Sequence, residues 1–440
     1  MPHTDFSSPD YAELPRYSTA NLLPSAPPYP GVTHARHTST TFPVEVKDGQ
    51  VMLSIAAPRL SSKGHPKYLT GEFIEGQLSL DLEQAEHVHS VSITVKGRIV
   101  STHSEIASFT FLKVRHNLHK AAQCHQKLVG KHQWPFAFPF PTDMHVEGKG
   151  KYRLPHAFSE RKTAVAVHYE LVGIVNHGKL RTGRKVRTQL AYVPRTVAGT
   201  PSSARLSACA LGLPPPGPRE DRHGWCTLEP AVVRGRIFEQ RDVEARFILS
   251  LAQPLSFARG SAIPCCMTVQ CFDKQALELL SQPENITVHL RRQVRYVLGD
   301  VRKDAAPRPV IVCDVAKATW WPAEGQNTQE YERRVDGEIH LAQELQPSSD
   351  FPYFCVQYSV VVIPAPPAGF KVQHKLPQIV QAVDITTWHP PGTTPRRTTA
   401  RAASPGPVDQ RYIETGDATS TLIDSLMAVF SSSRRRSNVT

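Results

Sequence analysis

The feature that most limits what this chain can become is the alternation of side-chain character between Val165 and Tyr192. Val165, Val167, Tyr169, Leu171 and Val175 share one parity, and Ala166, His168 and Glu170 the other. A two-residue period belongs to extended backbone, whose successive side chains point to opposite faces. After a turn containing His177, Gly178, Lys179, Arg181 and Gly183, the pattern returns as Val186, Thr188, Leu190 and Tyr192, with Lys185, Arg187 and Gln189 opposite. The two stretches predict a hairpin of half-buried strands, and Pro194, which has no N–H to donate, ends it.

The same period recurs upstream. Val44 and Val46, then Asp48-Gly49, then Val51, Leu53 and Ile55 predict a hairpin with a type I′ turn at Asp48-Gly49. Leu78, Leu80 and Leu82 alternate, as do Val91, Ile93 and Val95, with turn signals about every ten residues, the spacing of a sandwich. Residues 103–131 predict one strand around Phe109 and Phe111 followed by a loop. Trp134 to Pro141 alternates aromatics with prolines, which restricts it to a sheet edge.

A second strand series follows residue 224. Phe247, Leu249 and Leu251 share a face, as do Met267, Val269 and Cys271, then Ile286, Val288 and Leu290, and finally Val356, Tyr358, Val360 and Val362. One short helix is expected, from Lys274 to Leu280. Composition sets the boundaries: the 38 prolines among 440 residues are nearly twice the average usage of about 5%, and stretches rich in Pro, Ser and Thr flank and divide the alternating ones. The reading is a disordered proline-rich arm at 1–42, a sandwich at 43–195, a linker carrying PPPGPRED at 196–223, a second sandwich at 224–389 and a disordered basic tail at 390–440. Within the tail, Thr421 to Phe430 has helical spacing of apolar residues ahead of Arg434, Arg435 and Arg436, a candidate amphipathic helix for a lipid surface or a partner.

Eight cysteines show no CxxC pairing, and no apolar run reaches the roughly 18–20 residues of a membrane span. The expectation is a cytoplasmic protein, peripheral at the plasma membrane or endosomes. The net charge of +12 favours acidic partners. Nucleic acid is not expected, because the aromatics fall on the core-facing register rather than among the cations. An enzyme is not expected either. There is no GxSxG and no phosphate-cradling glycine loop, His87-Val88-His89 lacks further ligands at metal-binding spacing, and no cofactor or metal is called for.

Binding residues stand out in two places. Five cations fall within nine residues at the hairpin turn, Lys179, Arg181, Arg184, Lys185 and Arg187, and could pair with phosphate, acidic side chains or lipid headgroups. A second group, Arg291, Arg292 and Arg295, lies on a strand with Arg291 and Arg295 on one face. In the arm, Leu14-Pro15-Arg16-Tyr17 is an LPxY element, and Pro27-Pro28-Tyr29 is a shorter one. A proline held extended beside a tyrosine suits the aromatic-lined groove of a WW domain.

The order and wording of GEFIEG and QLSL, HSVSITVKGRI, WPFAFPFP, YRLP and AVHYELVGIV are similar to the amino-terminal domain of fungal and animal α-arrestins. The second half resembles the family more loosely, through Leu255 to Pro264 and the PSSDFPYFCVQYSVVV strand, so the likeness spans Pro43 to Trp388. The resemblance implies an all-β chain of two tandem immunoglobulin-like sandwiches, the arrestin fold. It further implies an adaptor that links membrane transporters or receptors to a WW-domain HECT ubiquitin ligase and promotes their ubiquitin-dependent endocytosis. Two departures bear on the ligase: the proline–tyrosine elements lie in the amino-terminal arm rather than a carboxy-terminal tail, and neither is a full PPxY. The alternative is a trafficking scaffold like a retromer subunit, with the same fold and no ligase.

Overall fold

The computed structural model describes residues 41–101, 108–120, 127–160, 163–177, 183–297, 310–323, 329–363, 367–373, 379–391 and 393, and the backbone of 413–414. The LPRY and PPYP elements, Lys179, Arg181 and the 421–436 segment lie outside these residues. The first half opens with β1 (Phe42–Asp48), β2 (Val51–Ala57), β3 (Lys67–Leu69), β4 (Phe73–His87), β5 (Ser90–Ser101) and β6 (Ser108–Lys120). It continues with β7 (Lys127–Pro139), β8 (Asp143–Val146), β9 (Gly150–Arg153), β10 (Phe158–Ser159), β11 (Val165–Asn176) and β12 (Arg184–Val193). One sheet runs β1-β2-β4-β7; the other runs β3-β12-β11-β5-β6, with β10 added to β11 and β8-β9 a separate hairpin.

Helix α1 (Ser203–Leu211) precedes the second half, which starts with β13 (Trp225–Thr227), β14 (Ala231–Ile237), β15 (Arg241–Ala252), β16 (Ser256–Ala258) and β17 (Ala262–Cys271). Helix α2 (Lys274–Leu280) follows, then β18 (Val288–Tyr296), β19 (Val310–Pro322), β20 (Glu332–His340), β21 (Ser349–Phe351) and β22 (Phe354–Val362). The series ends with β23 (Phe370–Val372), β24 (Ile379–Thr386) and a two-residue β25 (Ile413–Glu414) on β19. Here the strands form one path, β16-β24-β22-β18-β19-β20-β17-β15-β14-β23. The path is continuous because β19 pairs with β18 through Lys317 and then, from Ala318, with β20.

The two halves repeat one topology. The order β3-β12-β11-β5-β6 matches β16-β24-β22-β18-β19, and β1-β2-β4-β7 matches β14-β15-β17-β20. In each half the last long strand lies parallel to a three-residue strand, β12 to β3 and β24 to β16. Glycines in the left-handed region, Gly71 at φ 83° and Gly260 at φ 81°, make the turn out of that short strand in both. A buried tyrosine in each central strand donates to a backbone carbonyl at 2.6 Å, Tyr169 to Pro155 and Tyr358 to Gln346. The chain is thus all-β, with curled sheets of the β-sandwich kind, as the alternation predicts.

Inward positions follow the predicted parity. Val165, Val167, Tyr169, Leu171 and Val175 are fully buried, as are Val51, Leu53 and Ile55. Tyr169 packs against Phe111, Phe140 and Tyr192 with ring centroids 5.4–5.7 Å apart. Trp134, Phe136 and Phe138 face inward from β7 at the edge of its sheet, with Pro135 and Pro139 outward.

Four expectations are corrected. The β1–β2 turn holds Gly49-Gln50 between the paired Asp48 and Val51, and only Gly49 has positive φ, which is the type II′ arrangement. Residues 103–131 supply two long strands rather than a strand and a loop: β6 extends to Lys120 and β7 begins at Lys127. The linker contains α1, capped by Ser202 at its start and by Gly212, in the left-handed region, at its end. Arg205 anchors it, donating to the carbonyls of Gln253 and Gly224 with its guanidinium 5.2 Å from the Trp225 ring. Finally, the strand that closes the second half is β24, not β22.

Candidate functional site

The β11–β12 hairpin places its cations in different environments. Arg184 is spent internally: its guanidinium makes a two-pronged pair with Glu86 at 2.8 and 3.0 Å and lies 3.2 Å from the His177 ring. Lys185 and Arg187, two positions apart, both point outward and are exposed. Strand pairing then adds residues that no local stretch of sequence joins. Arg187 faces Val172, Val172 faces Thr94, and Thr94 faces Arg115. One step along, Gln189 faces Glu170, Glu170 faces Lys96, and Lys96 faces Lys113. Directly paired residues share a face, so Lys96, Lys113, Arg115, Lys185 and Arg187 lie together on the outer side of the β12-β11-β5-β6 sheet. Arg98 joins them opposite His168 and donates to Ser108 at 2.9 Å.

The signal for the four additional cations was present in the alternation, since Lys96 and Arg98 oppose Val95 and Ile99, but only the register joins them to the hairpin. Glu170 is the one carboxylate on these paired rows. Among the described residues none of Lys96, Lys113, Arg115, Lys185 and Arg187 has a carboxylate within ion-pair distance. Exposed arginines on the other kind of sheet, in the second half, differ. On β14, Arg234 and Arg236 are neutralised by Glu244 and Asp242 at 2.9 and 2.8 Å.

The second predicted cluster is divided between two faces, with Arg291 and Arg295 half-buried and Arg292 buried. Arg291 makes a two-pronged pair with Asp314 at 2.7 and 3.0 Å, and Arg295 bonds to Gln357. Arg292 points the other way, into the protein, where its guanidinium donates to both Glu160 oxygens at 2.7 and 2.8 Å. Val288, Leu290, Val294 and Tyr296 share its parity and are buried, so an arginine on a core register was the sequence signal for this burial. Burial works against its charge, but the bonds to Glu160 outweigh that and hold the guanidinium firmly protonated.

Glu160 belongs to the first half and Arg292 to the second, so this pair ties them together. Around it, Phe111 packs on Phe351 and Phe158 on Phe354, with centroids 5.2 and 5.0 Å apart. Farther along, Thr196 and Thr387, just beyond the last strand of each half, exchange backbone-to-hydroxyl bonds of 2.8 and 3.0 Å. His156 is buried against Phe158 and Phe354, with neither ring nitrogen bonded. Burial, helped by the charges of Arg292 and Arg259, lowers its pKa to about 3, so it sits in the junction as a neutral ring.

Chemistry at the remaining groups is restrained. Burial raises the thiols of Cys265, Cys266, Cys271 and Cys313, with Cys266 pushed up to about 12, which keeps them protonated and poor nucleophiles. Among the described residues no three His, Cys, Asp or Glu side chains are grouped to hold a metal, and no helix is long and apolar enough to cross a membrane. A cavity of about 360 Å³ between the β8–β9 hairpin and β21 is lined by Lys151 and Arg153 but also by Asp143 and Asp350. Lys151 pairs with Asp143 there at 3.4 Å. No family model matches the sequence, and no curated protein matches it.

Proposed function

We propose that the chain is an α-arrestin-like adaptor that links membrane transporters or receptors to a WW-domain HECT ubiquitin ligase, promoting ubiquitin-dependent endocytosis and sorting. The observation that carries this reading is the repeated topology: two β-sandwich halves of one strand order, in tandem, joined through a buried ion pair and an aromatic junction. It fits the α-arrestin likeness in the sequence, which spans the same two halves. The unneutralised outer face of the first half supports an adaptor rather than a catalyst, because it offers a surface for an acidic partner.

The proline–tyrosine element Leu14-Pro15-Arg16-Tyr17 supplies the ligase contact in this reading, with Pro27-Pro28-Tyr29 secondary. The test is co-purification of WW-domain ligases with the full-length protein and with Tyr17→Ala. Loss of the ligase from the variant is the expected result. If ligase recovery is the same for both, the ligase link fails and the retromer-like scaffold, which the lack of a full PPxY favours, takes its place.

A further inference from the structure

We propose that the outer face of the β12-β11-β5-β6 sheet docks on an anionic lipid bilayer. The proposal rests on the adaptor reading only in placing the protein at a membrane. Its basis is the arrangement of Lys96, Arg98, Lys113, Arg115, Lys185 and Arg187 across three of four adjacent strands. The rows through these residues contain the single carboxylate Glu170. Four of the six, Lys113, Arg115, Lys185 and Arg187, are exposed.

The layout favours a surface over a peptide. Neighbouring strands are about 4.8 Å apart, so Arg187 on β12 and Arg115 on β6, three strands away, are separated by about 14 Å across the sheet. Successive outward residues along one strand are about 7 Å apart. An extended acidic peptide running along one strand meets the cations of that strand and misses those on the far side. A plane of headgroups meets the four exposed cations on both flanking strands at once, with the half-buried Lys96 and Arg98 adding to the field between them. The central positions between the cations, Ser92, Thr94 and Val172, are short side chains that are themselves buried, so the contact is made by the exposed cations of the two flanking strands, which bracket these positions rather than line a cleft. Long-stemmed lysine and arginine side chains suit this use, because the stem lies over the sheet while the charge reaches outward.

Charge of this kind contributes about 1 kcal/mol per cation near an anionic leaflet, or about fivefold in partitioning, and it is screened within a Debye length. The test is co-sedimentation of the full-length protein with phosphatidylcholine vesicles, with and without phosphatidylserine. Because a chain of net charge +12 is attracted to any anionic surface, the decisive comparison is between two double variants of equal charge. Arg115→Gln with Arg187→Gln removes two cations from the face. Lys47→Gln with Lys127→Gln removes two exposed cations from the opposite sheet of the same half.

The expected result is a loss of about 25-fold in partitioning for the first pair and less than about threefold for the second, with binding falling as sodium chloride rises. Equal losses for the two pairs overturn the proposal. So does equal binding to vesicles with and without phosphatidylserine. A poly-glutamate peptide that the wild type binds, that the first pair fails to bind and that vesicles do not displace also overturns it, in favour of an acidic protein partner. Circular dichroism and thermal melts of both pairs check that each remains folded. Ligase co-purification on the same samples separates the two readings: retained ligase with lost face-specific lipid binding sinks only the bilayer proposal, and the reverse sinks only the ligase link.

Discussion

Replacing Glu160 by alanine leaves the Arg292 guanidinium, 6% exposed, facing the space from which two hydrogen bonds of 2.7 and 2.8 Å have been removed. Its Nε–H has no partner even with Glu160 present, so the substitution leaves the buried charge without a counter-ion and with only the neutral Cys313 thiol and Tyr358 hydroxyl beside it. Breaking a buried pair from one side costs about 3–5 kcal/mol. Glu160 itself is 26% exposed, which lets water approach from its side and moves the expectation to about 3 kcal/mol. The assay is urea unfolding of the full-length protein, followed by fluorescence, in wild type, Glu160→Ala, Arg292→Leu and the double variant. Because much of the penalty is the orphaned charge rather than the worth of the pair, adding Glu160→Ala to an Arg292→Leu background should cost less than about 1 kcal/mol. If the halves separate before either unfolds, the loss should appear in that first step. A loss below about 1 kcal/mol for Glu160→Ala alone, or an equal loss in the Arg292→Leu background, would refute the reasoning.

His156 makes the junction acid-sensitive. Its imidazole titrates near 6.5 when the chain is unfolded but near about 3 when folded, so between those values the unfolded state binds more protons. Stability is therefore undiminished by this group above about pH 6.5 and falls by about 1.4 kcal/mol per unit below it, until about pH 3. His156→Phe should flatten that part of the urea midpoint against pH, and an unchanged slope would count against it. Tyr169→Phe and Tyr358→Phe each remove a 2.6 Å bond to a buried carbonyl and should cost about 1 kcal/mol in the same assay. Gly97→Ala would set a methyl 2.5 Å from the Phe111 ring, which itself packs on Phe351 of the other half. Its cost should be about 1–3 kcal/mol, and a crystal structure of the variant should show the ring displaced.

How much of this was legible in advance depended on whether a strand's inward row was apolar. β2, β11 and β22 announce themselves through Val, Leu, Ile and Tyr at every second position. β6 does not, because the inward row carries His116, which stacks on Phe138 at 4.1 Å and stands where an aliphatic would be expected. α1 has no buried residue and hence no apolar stripe to mark it in the sequence, although Ser202 and Gly212 frame it. β24 alternates weakly, its first four positions being only half-buried. Lys185 and Arg187 could be placed from the hairpin alone. Lys96, Arg98, Lys113 and Arg115 could not, because membership of a sheet face is a property of register between distant strands.

The position of the final strand in each half has a consequence for synthesis. β12 separates β3 from β11, and β24 separates β16 from β22, so neither sheet can close until its last segment has left the ribosome. The first half can close once Val193 emerges, while its successor is still being translated. A message truncated after Val362 but before Ile379 would yield an intact leading sandwich fused to one with two bare strand borders, a species primed for intermolecular β-pairing and for clearance by quality control.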